Sequence, residues 1–272
     1  MQPAISQVCT LSAPFEDDLA GYADAAGTAI ELWLTKLEDH LRSHAVADVR
    51  AQADDRGLRF AAASYQGGIL LSQGDARRVA WDQFQKRLDL CADLSVPTLV
   101  VTADFLGPFA QTDIERAQVS LKQAGQAADQ RGIRLALEFQ ARNTFLNNLE
   151  TAAAFVLSVE QPNVGICFDV FHYAVGPSKF DDLAHLTADN LFHVHVSDVA
   201  DRPRELATDA DRILPGDGDF PLPQLFARFR EIGYRGYISL ELFNPLFWTT
   251  SPQQVGEIGL TALRVALGLN KA

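Results

Sequence analysis

Apolar and polar residues alternate strictly from Tyr237 to Phe243, with Ile238, Leu240 and Leu242 on one face and Ser239, Glu241 and Phe243 on the other. The pattern predicts a strand with a carboxylate on its small, polar face. It occurs three more times upstream. Arg134 to Phe139 sets Leu135, Leu137 and Phe139 against Ala136 and Glu138. Val164 to Asp169 sets Val164, Ile166 and Phe168 against Gly165, Cys167 and Asp169, and Leu191 to Ser197 sets Phe192, Val194 and Val196 against His193, His195 and Ser197. Each strand thus brings one potential metal ligand at or near its C-terminal end.

The other segments extend the series. Strands are predicted over Ile5 to Leu11, Thr28 to Leu34 (with Glu31 on one face), Leu58 to Tyr65 and Pro97 to Asp104. Helices are predicted over Phe15 to Ala26, Lys36 to Asp55, Asp75 to Leu94, Thr112 to Gln130, Leu149 to Glu160, Lys179 to Thr187, Pro221 to Ile232 and Ser251 to Leu267. Val199 to Phe220 is the longest irregular stretch. Strand and helix alternate eight times without a linker or low-complexity tract, so the expected fold is α/β, a (β/α)8 or TIM barrel forming one domain over residues 1–272. An open doubly wound sheet competes, but no GxGxxG follows the first strand and no GxxxxGK[ST] occurs. In a barrel the polar strand ends would meet at the face where active sites sit.

Composition narrows the partners. A formal charge of -12 lacks the basic footprint that a phosphate backbone needs, so no nucleic-acid partner is expected. The amino terminus shows no basic region followed by an apolar run, and no apolar stretch is long enough to span a bilayer. The expectation is a cytoplasmic protein with no membrane partner. Cys9, Cys91 and Cys167 are odd in number, form no CxxC and sit in apolar settings, as core residues of a reducing compartment do. The acidic surface and the loop after strand seven are compatible with a homodimer.

A carboxylate is costly to bury unless something pairs with it, and a cation is one good partner. Glu138, Asp169, His195 and Glu241 form an oxygen-rich set that suits one divalent ion, with Mn, Mg or Co favoured over Zn. Such an ion could bind the carbonyl and neighbouring hydroxyl of an α-hydroxy ketone and stabilise an enediolate, with Glu138 and Glu241 moving protons. His172, three residues past Asp169, is placed as a contact to a substrate hydroxyl. One of the loop arginines, Arg202, Arg204 or Arg212, is expected to reach substrate, and Trp248 with Phe247 either walls the pocket or packs the last helix. Asp198 admits two readings, loop cap and metal contact. His193 reads as a satisfied core histidine, and His40 with His44, spaced i,i+4, as a solvated helix face.

Taken together, Asp169-Val-Phe-His172, His193-Val-His195, Thr208 to Gly218 and Ser239-Leu-Glu-Leu-Phe-Asn-Pro245 resemble the xylose isomerase-like superfamily of sugar isomerases and epimerases, most of all its inosose isomerases. The resemblance runs along the whole chain and is most specific from Ile133 to Trp248. It implies a metal quartet at Glu138, Asp169, His195 and Glu241, with a substrate-contacting histidine at His172. It also implies a small keto-polyol substrate whose carbonyl shifts between neighbouring carbons, the two glutamates serving as acid and base. The superfamily includes metal-dependent dehydratases of inosose and 3-dehydroshikimate, which stand as the alternative activity; a non-catalytic sugar-binding barrel is a third reading. Its zinc nuclease branch needs histidines on early strands, and strands two and three carry none.

Overall fold

Short runs of aliphatic residues, buried on both faces, build the strands of the computed structural model, which describes residues 1–269. Eight parallel strands close in chain order: β1 (Gln2–Ser6), β2 (Ala29–Trp33), β3 (Arg59–Gln66), β4 (Thr98–Thr102), β5 (Arg134–Glu138), β6 (Val164–Asp169), β7 (Leu191–Val196) and β8 (Tyr237–Leu240). The last pairs with the first, Ile238 opposite Pro3 and Ser239 opposite Ala4, so no sheet edge is left open. Around them lie α1 (Phe15–Asp24), α2 (Leu34–His40), α3 (Val46–Asp55), α4 (Gly74–Asp93), α5 (Gln111–Asp129), α6 (Leu149–Val159), α7 (Val170–Val175), α8 (Leu222–Glu231), α9 (Pro245–Trp248) and α10 (Pro252–Ala266). This is the expected TIM barrel. Among the described residues no helix is long and apolar enough to cross a membrane.

The outward strand residues Leu135, Leu137, Ile166, Phe168, Val194, Val196, Ile238 and Leu240 pack beneath the helices in one continuous core. Each such side chain contributes about 1.5–3 kcal/mol by leaving water. The inner face is different. Ala4, Ala29, Ala62 and Ser239 are small and fully or almost fully buried, and they leave room for the side chains of Glu31, His193 and His195. This layer of the barrel interior is therefore polar where most barrels stack branched aliphatic residues, whereas Phe192, expected on the outer face, is the extra residue of a bulge and packs with Val100, Ala136 and Cys167 in a small apolar cluster. The first and last helices seal the wall: a Cβ at Gly21 of α1 would lie 2.5 Å from the backbone nitrogen of Gln253 in α10, so only glycine permits this approach.

Several boundaries differ from the sequence reading. The first strand stops at Ser6 because the Ser6 hydroxyl accepts from the Val8 N–H and turns Gln7–Thr10 into a 3₁₀ segment. The helix expected over Lys36 to Asp55 is two, α2 and α3; the His40 carbonyl is taken up locally by the Ser43 N–H and the His44 imidazole, which ends the first. Lys179 to Thr187 folds as a 3₁₀ segment over Phe180–His185. The short α7 was not anticipated, although its cap is plain: Asp169 Oδ1 accepts from the Phe171 and His172 N–H groups, at 2.6 and 3.3 Å. Glu241 lies one residue beyond β8, not within it, yet its N–H still donates to Val196 O and continues the ladder.

Candidate metal centre

The four residues singled out from the strand pattern meet. Each of Glu138, Asp169, His195 and Glu241 offers one ligand atom, and these atoms all lie within 4.8 Å of one another at the C-terminal mouth of the barrel. All four are buried. The β5, β6 and β7 members are in register, with Glu138 opposite Cys167 and Asp169 opposite His195. Register shifts fall between Ile30 and Glu31, between Ala63 and Gln66 and between Ile166 and Cys167, and beyond the last of them Asp169 still stands opposite His195.

Hydrogen bonds hold each ligand from behind. His195 Nδ1 is 2.7 Å from Glu138 Oε1 and its Nε2 is 2.9 Å from Glu31 Oε1, while Gln140 donates to the other Glu138 oxygen. Arg212 is 1% exposed; its Nη1 donates to Glu241 Oε2 and its Nη2 to Asp169 Oδ2, each at 2.9 Å, and both Nε and Nη2 reach Asp209 Oδ1. The guanidinium also lies over the rings of Phe171 and Phe243. Of its five N–H groups this leaves one Nη1 hydrogen uncommitted.

Charge follows from these contacts. Burial pushes the Glu241 carboxyl well above the usual range, and Glu138 and Asp169 add to the push against the pull of His195 and Arg212. Burial acts the same way on Asp169, but Arg212, His172 and His195 outweigh it and hold that carboxyl at about 2. For His195 burial opposes the charged form, yet its surroundings keep the proton on well above the ordinary imidazole range. The neighbouring Cys167 thiol and the Glu241 carboxyl are themselves driven up by burial, so the Glu31 carboxylate, held against burial well below the usual range by His195 and His193, carries that effect. Three carboxyl groups crowded this closely do not all ionise without positive charge; in the metal-free protein Arg212 and the His195 proton supply part of it, and Glu241 is the group driven to keep its proton. Such a donor set fits one divalent ion.

The cavity above the quartet has a volume of about 500 Å³. One side is aromatic: Trp33 lies 5.2 Å from the Tyr65 ring and 5.7 Å from that of Phe243. The other carries Asp104, Gln140, Asn143, His172, Asp209 and Arg212. His172 is on the cavity wall, and its Nδ1 is buried without a partner. Arg202 is not on that wall; it points outward and pairs with Asp211 at 3.1 Å, since the loop turns its side chain away from the mouth. Arg204 is half exposed and faces Glu205. Trp248 is also off the wall, its indole N–H spent on the Val8 carbonyl at 2.8 Å. Trp33 and Phe243 take that place, each two residues beyond an inward glutamate on its own segment. Asp198 is the loop cap: it accepts from Val199, Gly216 and Phe220 N–H groups and bridges to Ile213, which carries Arg212 inward. His193 is buried and bonded to Glu31, which the strand pattern alone does not tie to the site and which the structure brings against His195.

Behind Trp33 a second buried network fixes the wall. Gln7 accepts from the Trp33 N–H and donates to Asp18, which also holds Lys36 at 2.6 Å and the Thr10 hydroxyl. Burial, only partly offset by Lys36, Thr10 and Gln7, raises the Asp18 carboxyl to about 6. Because the unfolded value is near ~3.9, the folded state binds the extra proton between these limits. The contribution to stability is full below pH ~4 and is lost as pH rises through about 6. Asp18→Asn is expected to flatten this part of the profile, removing on the order of 3 kcal/mol of pH dependence between pH ~4 and ~7, as read from urea midpoints. An unchanged slope would refute the assignment.

Comparison with known proteins agrees with this fold. The family described as "Xylose isomerase-like TIM barrel" matches residues 20–263. The chain is 26% identical over 226 residues to an inosose isomerase of Bacillus velezensis, covering 81% of this chain and 80% of that protein. It is 29% identical over 274 residues to a 3-dehydroshikimate dehydratase of Pseudomonas aeruginosa, covering 97% of this chain but only 41% of the longer relative. A crystal structure described as the IOLI protein with a binding zinc atom superposes with a TM-score of 0.92 at 23% identity, over 98% of both chains. By the match of its sequence and the closure of its eight strands, the chain belongs to the xylose isomerase-like TIM-barrel family.

Proposed function

We propose that this protein is a divalent-metal-dependent isomerase or epimerase of an uncharged keto-polyol of the inosose kind, acting through an enediolate. The observation that carries this reading is the convergence of the four ligand atoms within 4.8 Å beneath a cavity of molecular size. Glu138, Asp169, His195 and Glu241 would hold one ion. Their oxygen-rich character favours manganese, magnesium or cobalt, and the zinc of the solved relative is compatible with the same donors. When bound, such an ion would supply Lewis-acid polarisation of the substrate carbonyl.

The side chains account for the rest. Glu138 on β5 and Glu241 after β8 are separated by β6 and β7, so they address a bound carbon from different directions. One removes the proton from the hydroxyl-bearing carbon next to the carbonyl; the other returns a proton either to the former carbonyl carbon, with the hydroxyl proton passing to the former carbonyl oxygen, which moves the carbonyl, or to the opposite face of the same carbon, which inverts it. His172 Nδ1, donor or acceptor by tautomer, and the uncommitted Arg212 Nη1–H, a donor, are available to substrate hydroxyls. The Trp33, Tyr65 and Phe243 rings suit the C–H face of a polyol ring.

Charge favours an uncharged substrate. Arg212 is the one arginine or lysine on the cavity wall among the described residues, and three carboxylates already engage it. A carboxylated ring, as in 3-dehydroshikimate, would find no free cationic side chain there. The test is incubation of metal-loaded protein with a panel of inososes and ketohexoses in D2O. A product of the substrate's formula carrying deuterium beside the carbonyl is expected; loss of one water would establish the dehydratase reading instead. No exchange and no turnover with any of them would sink the proposal.

A further inference from the structure

Two lone pairs do not approach to 2.7 Å unless a proton or a cation lies between them, and His195 Nδ1 stands at that distance from Glu138 Oε1. Which nitrogen faces the quartet is therefore decided on the other side of the ring. There Nε2 is 2.9 Å from Glu31 Oε1. Glu31 belongs to β2, outside the four strands that bring the ligands, and is fully buried. Its second oxygen is 2.9 Å from His193 Nε2, and the Ser64 hydroxyl donates to Oε1. Held by donors from β3 and β7, the carboxylate has little freedom to turn.

A carboxylate only accepts, so both imidazoles must present an N–H to it. With Nε2 committed as the donor, His195 is left with Nδ1 as its ligating atom on the quartet side. Neither Glu31 nor His193 lines the cavity, so neither touches a substrate. We propose that Glu31 is a positioning residue which fixes His195 with its proton on Nε2 and its Nδ1 aimed at the metal centre, and that His193 is the clip that keeps Glu31 in place. The small neighbours explain why the barrel can house this arrangement: Ala4, Ala29, Ala62 and Ser239 leave the interior open at this level. The inference rests on the proposed metal dependence but not on the substrate.

The test uses the full-length protein stripped of metal, Mn2+ and Zn2+ as probes, and 15N-labelled histidine. In the wild type, nitrogen NMR should show both His195 nitrogens protonated without metal, and Nδ1 alone losing its proton when Zn2+ is added. Glu31→Gln presents an amide whose N–H2 end must face one of the two imidazoles. It should weaken Mn2+ and Zn2+ binding by about 10–100-fold and, in the Zn2+-loaded protein, mix the two His195 forms, while the far-UV spectrum stays unchanged. His193→Gln, which keeps a side-chain N–H for Glu31, should bind nearly as the wild type does, and His193→Leu more weakly. Unchanged affinity and nitrogen signals in Glu31→Gln would overturn the inference. So would a wild-type His195 that ligates through Nε2, a result that needs no variant to fold. A wild type that takes up neither ion would defeat the metal reading as well, which separates the two failures.

Discussion

Glu241→Gln is expected to leave the barrel folded and to lower turnover by about 10²–10⁴-fold, the range of a lost proton-transfer group. The amide is isosteric and keeps an oxygen that can accept from Arg212 Nη1, now 2.9 Å from Glu241 Oε2. It cannot take up or release a proton at working pH. Glu138→Gln should behave alike, since Gln140 and His195 brace that side chain independently of Arg212. On the proposed mechanism the double variant should be scarcely slower than either single one, because the two groups would serve successive halves of one transfer and their losses would not add. Deuterium uptake from solvent should fall in step with turnover. Elemental analysis of each variant distinguishes loss of the ion from loss of the proton carrier. Full turnover with metal retained in either variant would remove the glutamate pair from the mechanism.

The quartet was legible because a strand's period of two is rigid: an inward residue at one position forces the face of its neighbours, and four strands repeated the same signature. Barrel closure then followed from the alternation of strands and helices. Glu31 shows where that logic stops. It carried the same inward signature, but its partners His193 and His195 are 162 and 164 positions away, and only the closed barrel brings β2 beside them. Arg202 and Arg212 looked equivalent, ten residues apart in one loop of mixed charge. What separates them is the Asp198 clip, whose bonds to Val199, Gly216 and Phe220 N–H groups set the direction of the segment between. Of the two readings of Trp248 the structure takes the one away from the pocket, for a related reason: proximity to Glu241 in sequence counts for less than standing on an inward position, which Phe243 does. The break between α2 and α3 depends on a local bond to the His40 carbonyl that helical periodicity does not encode.

Arg212→Met should be the most destabilising of the simple substitutions in the metal-free protein. The guanidinium is almost fully buried and is shared by Asp169, Asp209 and Glu241, and its loss leaves Asp169 and Glu241 facing each other inside the barrel. Removing one partner of a buried ion pair costs about 3–5 kcal/mol, and for a chain of this size that is a fall in Tm of about 10 °C. Lysine should not rescue it, because one ammonium cannot serve three carboxylates in the fork geometry that Nε, Nη1 and Nη2 provide. The sign reverses when a divalent ion is present. Arg212 and the ion draw on the same negative charge, so the variant should gain more Tm on saturation with Mn2+ than the wild type does, and should bind Mn2+ at least as tightly. Thermal melts with and without Mn2+ check both halves. A variant as stable as the wild type without metal, or one that gains no more from Mn2+, would mean that the carboxylates are neutralised by some other means and that Arg212 is not the cation that balances the empty quartet.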